Sequence, residues 1–170
     1  VISNFRLQDD RRVLLFEAAP IGVEEAERRA AEALRHTSSL ITLFDTADAY
    51  GFGHNEQLLG RFLQGHRGQA LVATKCGLAR EAGSYARRVD NSPAYIRQAC
   101  EASLARLGVE RIDLFYLHRL NLETPLEESM GALAQLRQEG KIRAVGLCEV
   151  SAATLRRAAV EAFSAIEASV

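Results

Sequence analysis

Four residues in this chain are of the types that move protons, and each sits where a buried strand would end. Asp45 closes the apolar run Leu40–Phe44, and Tyr50 follows five residues later in Asp45-Thr46-Ala47-Asp48-Ala49-Tyr50-Gly51. Lys75 closes Leu71-Val72-Ala73-Thr74, and His118 closes Ile112-Asp113-Leu114-Phe115-Tyr116-Leu117. A phenol, with a reference pKa near 10, serves as a proton donor at neutral pH when a nearby cation stabilises its anion. A Lys ammonium held by a carboxylate supplies that cation.

The elements that must hold these residues follow from periodicity. Phe5 to Arg12 reads as a short hairpin around Asp9-Asp10, leading into a strand at Val13–Phe16. Ala and Leu recur at helical spacing among the Glu and Arg residues of Val23–Leu34. Strand and helix then alternate. Leu40–Phe44, Ala70–Thr74, Ile112–Leu117 and Ile142–Leu147 are expected as strands, and Asn55–Phe62, Pro93–Leu107, Leu126–Gln138 and Ala152–Val160 as helices. Phe163–Val170 is expected as a last strand. Ser92-Pro93 marks one helix start, and Thr124-Pro125-Leu126-Glu127 predicts a capping box at another. Gly108 and Gly140 suit the left-handed residue that ends a helix. Cys76–Asn91 is expected as a surface loop.

Strands apolar on both faces and joined by helices predict an α/β architecture with a parallel sheet covered by helices. In such sheets the strand C-termini and the loops after them collect the active-site groups. Asp45, Lys75, His118 and Cys148 fall at that edge of successive strands, with Tyr50 on the first loop.

Composition narrows the classes of function. At 170 residues the chain is the size of one domain, expected over residues 1–170. Its net charge is −1, with acidic and basic residues interspersed, which recommends neither nucleic acid nor an anionic membrane as partner. The three cysteines, Cys76, Cys100 and Cys148, show no CxxC spacing and suit free thiols in the cytoplasm. No apolar run reaches the roughly 18 residues of a spanning helix, and the start lacks the pattern of a signal peptide. The absence of an initiator Met leaves a processed form or a fragment open. No His, Cys, Asp or Glu cluster has metal-ligand spacing.

The motifs Phe44-Asp45-Thr46-Ala47-Asp48-Ala49-Tyr50-Gly51 with Glu56 and Leu59-Gly60, Ala73-Thr74-Lys75, Leu104-Ala105-Arg106-Leu107-Gly108 through Asp113–His118, and Gly140-Lys141-Ile142-Arg143-Ala144-Val145-Gly146-Leu147 resemble the aldo-keto reductase family. The resemblance covers most of the chain from about Ala18. It implies a TIM-barrel-like fold, here an incomplete barrel of about six βα units that lacks the last two. It also implies NADPH-dependent reduction of a small carbonyl substrate by a tetrad of Asp45, Tyr50, Lys75 and His118. In that scheme Tyr50 protonates the substrate oxygen, Lys75 paired with Asp45 assists the phenol, and His118 positions the oxygen.

The departures concern the cofactor. Where the family has a Gly-rich end to its first barrel strand, this chain has Leu14-Leu15-Phe16-Glu17-Ala18. Where the family carries a Ser that holds the nicotinamide carboxamide, it has Cys148, a weaker partner. The family's phosphate-binding loops follow strands seven and eight, so weak NADPH binding, or none, is expected. Two further readings therefore stay open. One is cofactor-independent acid–base chemistry (a dehydratase, cyclase or isomerase) using the same residues, with Glu17 as an additional acid or base. The other is a non-catalytic binding or regulatory barrel, which the family's potassium-channel β subunits exemplify. A last strand with one unpaired side also predicts a homo-oligomer.

Overall fold

The computed structural model describes residues 2–6, 12–16, 28, 43–80 and 87–167. Strands β1 (Ile2–Arg6) and β2 (Arg12–Phe16) pair antiparallel, as the hairpin reading requires, with Phe5 opposite Val13 and Arg6 opposite Arg12. After β3 (Leu43–Asp45) come α1 (His54–Leu63), a 3₁₀ turn at Arg67–Gln69, and β4 (Leu71–Cys76). A small hairpin of β5 (Leu78–Arg80) and β6 (Arg87–Val89) then precedes α2 (Pro93–Leu107). The chain continues through β7 (Ile112–Leu117), α3 (Leu126–Gln138), β8 (Ile142–Leu147) and α4 (Ala152–Glu167). Arg28 is helical, and the rest of the helix expected at Val23–Leu34 lies outside the described residues, as do Leu40–Thr42.

The sheet order is β1-β2-β3-β4-β7-β8, and every pairing from β2 onward is parallel. Parallel strands that follow one another in space as they do in sequence are the winding of a barrel. A doubly wound sheet would reverse its order at a switch point. Five barrel strands are thus laid down side by side.

The core lies between the outer face of this sheet and the helices. Phe44, Val72, Phe115 and Leu117 alternate outward along their strands and pack with Phe62 of α1, Ile96, Cys100 and Leu107 of α2, and Leu133 and Leu136 of α3. Burial of one such Phe or Leu side chain is worth about 1.5–3 kcal/mol, which makes this layer the main force holding the strand ends in place. The face that would line a barrel interior is less covered. Along β8 one residue is buried, two are exposed and three are half-buried.

The helix punctuation holds in part. Ser92 Oγ accepts the Tyr95 amide at 3.3 Å with Pro93 in the first turn, and Gly108 and Gly140 end their helices at φ 64° and 75°. The capping box at Thr124 does not form. The cap position belongs to Pro125, which has no side-chain acceptor, and the Glu127 carboxylate is drawn instead to Arg157 of α4.

Two further expectations are corrected. The stretch Cys76–Asn91 contains the β5–β6 hairpin, whose Leu78 pairs with Val89. The strand expected at Phe163–Val170 does not exist where the chain is described, because α4 runs on through Glu167. The sixth barrel strand is therefore absent among the described residues, and β8 forms one edge of the described sheet, with β1 at the other.

Candidate active site

Strand register explains why the four polar residues meet. Asp45 pairs with Ala73, so Lys75, two residues further on, points to the same face beyond it. Lys75 pairs with Tyr116, and His118 lies two residues beyond Tyr116. Tyr116 pairs in turn with Gly146, and Cys148 follows by the same step. One inward face at the C-terminal edge thereby receives Asp45, Lys75, Tyr116, His118 and Cys148 from four strands.

The loop that carries Tyr50 is fixed by backbone bonds to the strand beside it. The amides of Thr46 and Asp48 donate to Ala73 O at 2.9 Å and Lys75 O at 3.1 Å, continuing the β3–β4 ladder past the end of β3. The Tyr50 amide donates to Ala47 O at 3.1 Å, and Tyr50 O accepts from Asn55, which ties the turn to α1. Asn55 Oδ1 also accepts from Thr46 Oγ1 at 2.6 Å in a buried bond.

Within this frame the Lys75 ammonium, 7% exposed, donates to the Asp45 carboxylate and to Thr46 O at 2.7 Å. It stands 5.2 Å from the centre of the Tyr50 ring. The His118 ring meets the Tyr50 ring edge-on, with centroids 5.7 Å apart and planes at 82°. Burial raises the pKa of Asp45 above the ordinary carboxylate value, and the charge and hydrogen bond of Lys75 oppose that shift. The four sequence-predicted residues are brought together as a carboxylate–ammonium pair and an imidazole, both beside the phenol.

Cys148 is half-buried at the end of β8, where its amide donates to Leu117 O at 3.0 Å. Burial raises its thiol pKa, with Lys75 and Asp45 acting in opposite senses, so it remains a neutral, weak hydrogen-bond partner at neutral pH. Glu17 lies outside the described residues. Among those described, no group of three or more His, Cys, Asp or Glu could hold a metal ion, and no helix is long and apolar enough to cross a membrane.

Several residues that organise the site, most of them inside the family-like motifs, had no role assignable from the sequence. Tyr116 lies over Gly146, where even a Cβ would come within 2.2 Å of its ring, so the strand pairing there requires Gly. Burial raises the Tyr116 phenol pKa, and nearby Asp45 and Cys148 raise it further. Glu56 is fully buried behind β4, accepting Thr74 Oγ1 at 2.6 Å and Arg106 Nε at 2.6 Å. Asn91 braces the loop after β7 by donating to Arg119 O and accepting the Asn121 amide at 2.7 Å. These contacts link residues 18 to 50 positions apart in sequence, which no local pattern encodes.

Residues 17–169 match the sequence model of the aldo/keto reductase family. An aldo-keto reductase of Schizosaccharomyces pombe, yakc [NADP(+)], is 45% identical over 129 residues, which is 74% of this chain and 38% of that protein. Among solved structures, the holo form of aldo-keto reductase AKR11C1 from Bacillus halodurans superposes with a TM-score of 0.75 at 32% identity, covering 92% of this chain and 53% of that one. The glycerol dehydrogenase AKR11B4 of Gluconobacter oxydans gives 0.73 at 37% identity, over 85% and 44%. The chain thus spans about two fifths to one half of the length of these relatives. With the family's sequence pattern over nearly its whole length and the same fold in its strands and helices, the chain belongs to the aldo/keto reductase family.

Proposed function

We propose that the chain, folding as a single domain, carries the proton-transfer half of an NADPH-dependent carbonyl reductase. The observation that carries this reading is the grouping of Tyr50 with the Lys75–Asp45 pair and with His118. A carbonyl that accepts hydride develops negative charge on its oxygen, and a positioned acid removes the cost of forming a free alkoxide. Tyr50 gives its hydroxyl proton to that oxygen. Lys75, held against Asp45 and Thr46 O, stabilises the phenolate left behind until solvent restores the proton. His118, edge-on to the Tyr50 ring, holds the substrate oxygen within reach of the phenol.

NADPH, when bound, supplies the hydride. The yeast relative's own name pairs it with NADP(+). Cys148 stands beside Lys75 and Asp45 at the end of β8, where it would meet the carboxamide as a weak partner. Binding by this chain alone is accordingly weak.

The test is Tyr50→Phe in protein that turns over a small aldehyde, followed by loss of NADPH absorbance. Removing a positioned general acid lowers the rate about 10²–10⁴-fold while the melt stays within a degree or two of the parent. Activity within about twofold of the parent would remove Tyr50 from the mechanism.

A further inference from the structure

His118 stands where β7 gives way to a loop, and one side chain from elsewhere in the sequence holds that loop. Asn91, 1% exposed, lies between the end of β6 and the Ser92-Pro93 start of α2. Its Nδ2 donates to Arg119 O at 3.0 Å, and its Oδ1 accepts the Asn121 amide at 2.7 Å. A primary amide can donate to a carbonyl and accept from an N–H at once, and these two partners fix which end is which. Asn91 is itself held through its backbone. Its carbonyl accepts Ser129 Oγ of α3 at 2.9 Å, and the preceding Asp90 amide donates to Gly77 O at 3.2 Å.

The approach is close enough to require a glycine. A Cβ on Gly77, whose φ is 104°, would lie 3.0 Å from Asn91 Nδ2, 3.4 Å from Arg119 O and 3.7 Å from His118 N. The end of β4, the Asn91 amide and the His118 backbone therefore share one small space, where the His118 amide also donates to Cys76 O at 2.7 Å. Further along the loop, Asn121 Nδ2 donates to Val89 O at 3.1 Å and Asn121 Oδ1 accepts the Thr124 amide at 3.0 Å. Arg119 extends the brace sideways, pairing with Glu149 at 2.6 Å in the loop after β8. Asn91 thus joins the loops that follow β4, β7 and β8, the strands that deliver Lys75, His118 and Cys148.

The tolerance at His118 is small. Its ring meets the Tyr50 ring edge-on with centroids 5.7 Å apart, and both side chains must reach the same substrate oxygen. A side chain at a strand end is aimed by the backbone that follows it as well as by the ladder behind it. A displacement of about 1 Å in a group that orients a reacting atom can cost about 100-fold in rate. Without Asn91, the Arg119 carbonyl and the Asn121 amide lose their partners, and the loop must shift to recover them from water.

We propose that Asn91 is a positioning residue for carbonyl reduction: it locks the loop after β7 so that His118 is aimed at the substrate oxygen beside Tyr50. The proposal rests on the roles given above to Tyr50 and His118, and adds to them a residue that acts through the backbone of another loop.

The test is Asn91→Ala, read in two ways. In protein that turns over a small aldehyde, kcat should fall about 10–100-fold while KM changes by no more than about twofold, because the His118 contact strengthens as charge develops on the oxygen. In proton–carbon NMR spectra of protein labelled at histidine, the His118 ring signals, identified by their loss in His118→Gln, should move beyond their line width while those of His54 and His66 stay in place. A residue that served stability alone would lower the melt and leave both kcat and the His118 signals of the folded protein unchanged. Should Asn91→Ala not fold, Asn91→Asp decides: it keeps the acceptor for the Asn121 amide, loses the donor to Arg119 O, and should displace the His118 signals in the same way. The spectra need no turnover, so unmoved His118 signals overturn the proposal by themselves. Tyr50→Phe assayed alongside separates the two levels. Parental turnover in Tyr50→Phe removes the proton-transfer reading and this proposal together, whereas a loss in Tyr50→Phe with parental kcat in Asn91→Ala removes this proposal alone.

Discussion

Glu56 and Arg106 provide the sharpest test of how this half of the site is held. The Glu56 carboxylate is 0% exposed and divides its oxygens between Thr74 of β4 and Arg106 of α2. Thr74 is the residue before Lys75, so the network fixes the strand end that carries the candidate ammonium. Arg106→Met keeps most of the side chain's apolar volume and removes the guanidinium. The carboxylate is then left buried without its counter-ion, a change that costs about 3–5 kcal/mol for fully buried pairs. The Arg106 side chain is 25% exposed, so water can approach and the cost falls to about 2–4 kcal/mol. For a chain of this length that corresponds to a fall in Tm of about 5–15 °C. Urea unfolding followed by circular dichroism measures it directly, with the midpoint displaced and the slope unchanged. The double variant Glu56→Gln with Arg106→Met should be destabilised by clearly less than the sum of the single changes, because it leaves no orphan charge. A single-variant loss under about 0.5 kcal/mol, or strict additivity in the double, would mean that the pair is only a surface contact and the reasoning is wrong.

Gly146→Ala places a methyl against the Tyr116 ring and should cost about 1–3 kcal/mol, or displace Tyr116, visible as an altered near-ultraviolet circular dichroism spectrum; a neutral result would show that the ring has room to move. Asp48 gives a pH signature in stability. Its folded-state pKa near 7 exceeds the unfolded value near 4, so the folded form holds its proton longer and stability falls by up to about 4 kcal/mol as pH rises from about 4 to 7. Urea melts at pH 5 and pH 8 should show about 2–3 kcal/mol of that fall in the parent and not in Asp48→Asn; equal pH dependence in the two proteins would assign it elsewhere. Fluorescence titration with NADPH should give a Kd weaker than micromolar for this chain, and micromolar or tighter binding would contradict the reading of Cys148 as a poor partner. Because β8 ends the described sheet with one side unpaired, light scattering should show self-association at micromolar concentration, and a stable monomer with a cooperative melt would remove that expectation.

What the sequence disclosed and what it hid divide along physical lines. The elements read correctly were those whose signals are local. Pro93–Leu107 is bracketed by a Ser-Pro start and a Gly108 stop, and Ile112–Leu117 is an apolar run between two polar turns. Asp45, Lys75 and His118 were legible because each terminates such a run, and parallel register then carries all three to one edge. The strand expected at Phe163–Val170 failed because a short apolar run is compatible with either period. The Ala-rich stretch from Ala152 onward favours helix by intrinsic propensity, and α4 continues through it. The β5–β6 hairpin has no local signature, because Arg87-Arg88-Val89 shows no apolar alternation to announce a strand. The buried polar groups were hidden for a deeper reason. Glu56 sits on a helix that otherwise reads as amphipathic, and a carboxylate in such a pattern is expected to face water. Only its partners, 18 and 50 residues away, make its burial tolerable. Asp48 is hidden in the same way inside the Tyr50 motif, since nothing in its neighbours distinguishes a loop carboxylate in water from one enclosed by α1 and α2. Residues whose role depends on long-range compensation become visible only in three dimensions, which is why the buried Glu56–Arg106 pair, rather than the tetrad, is where the structure adds most to the sequence.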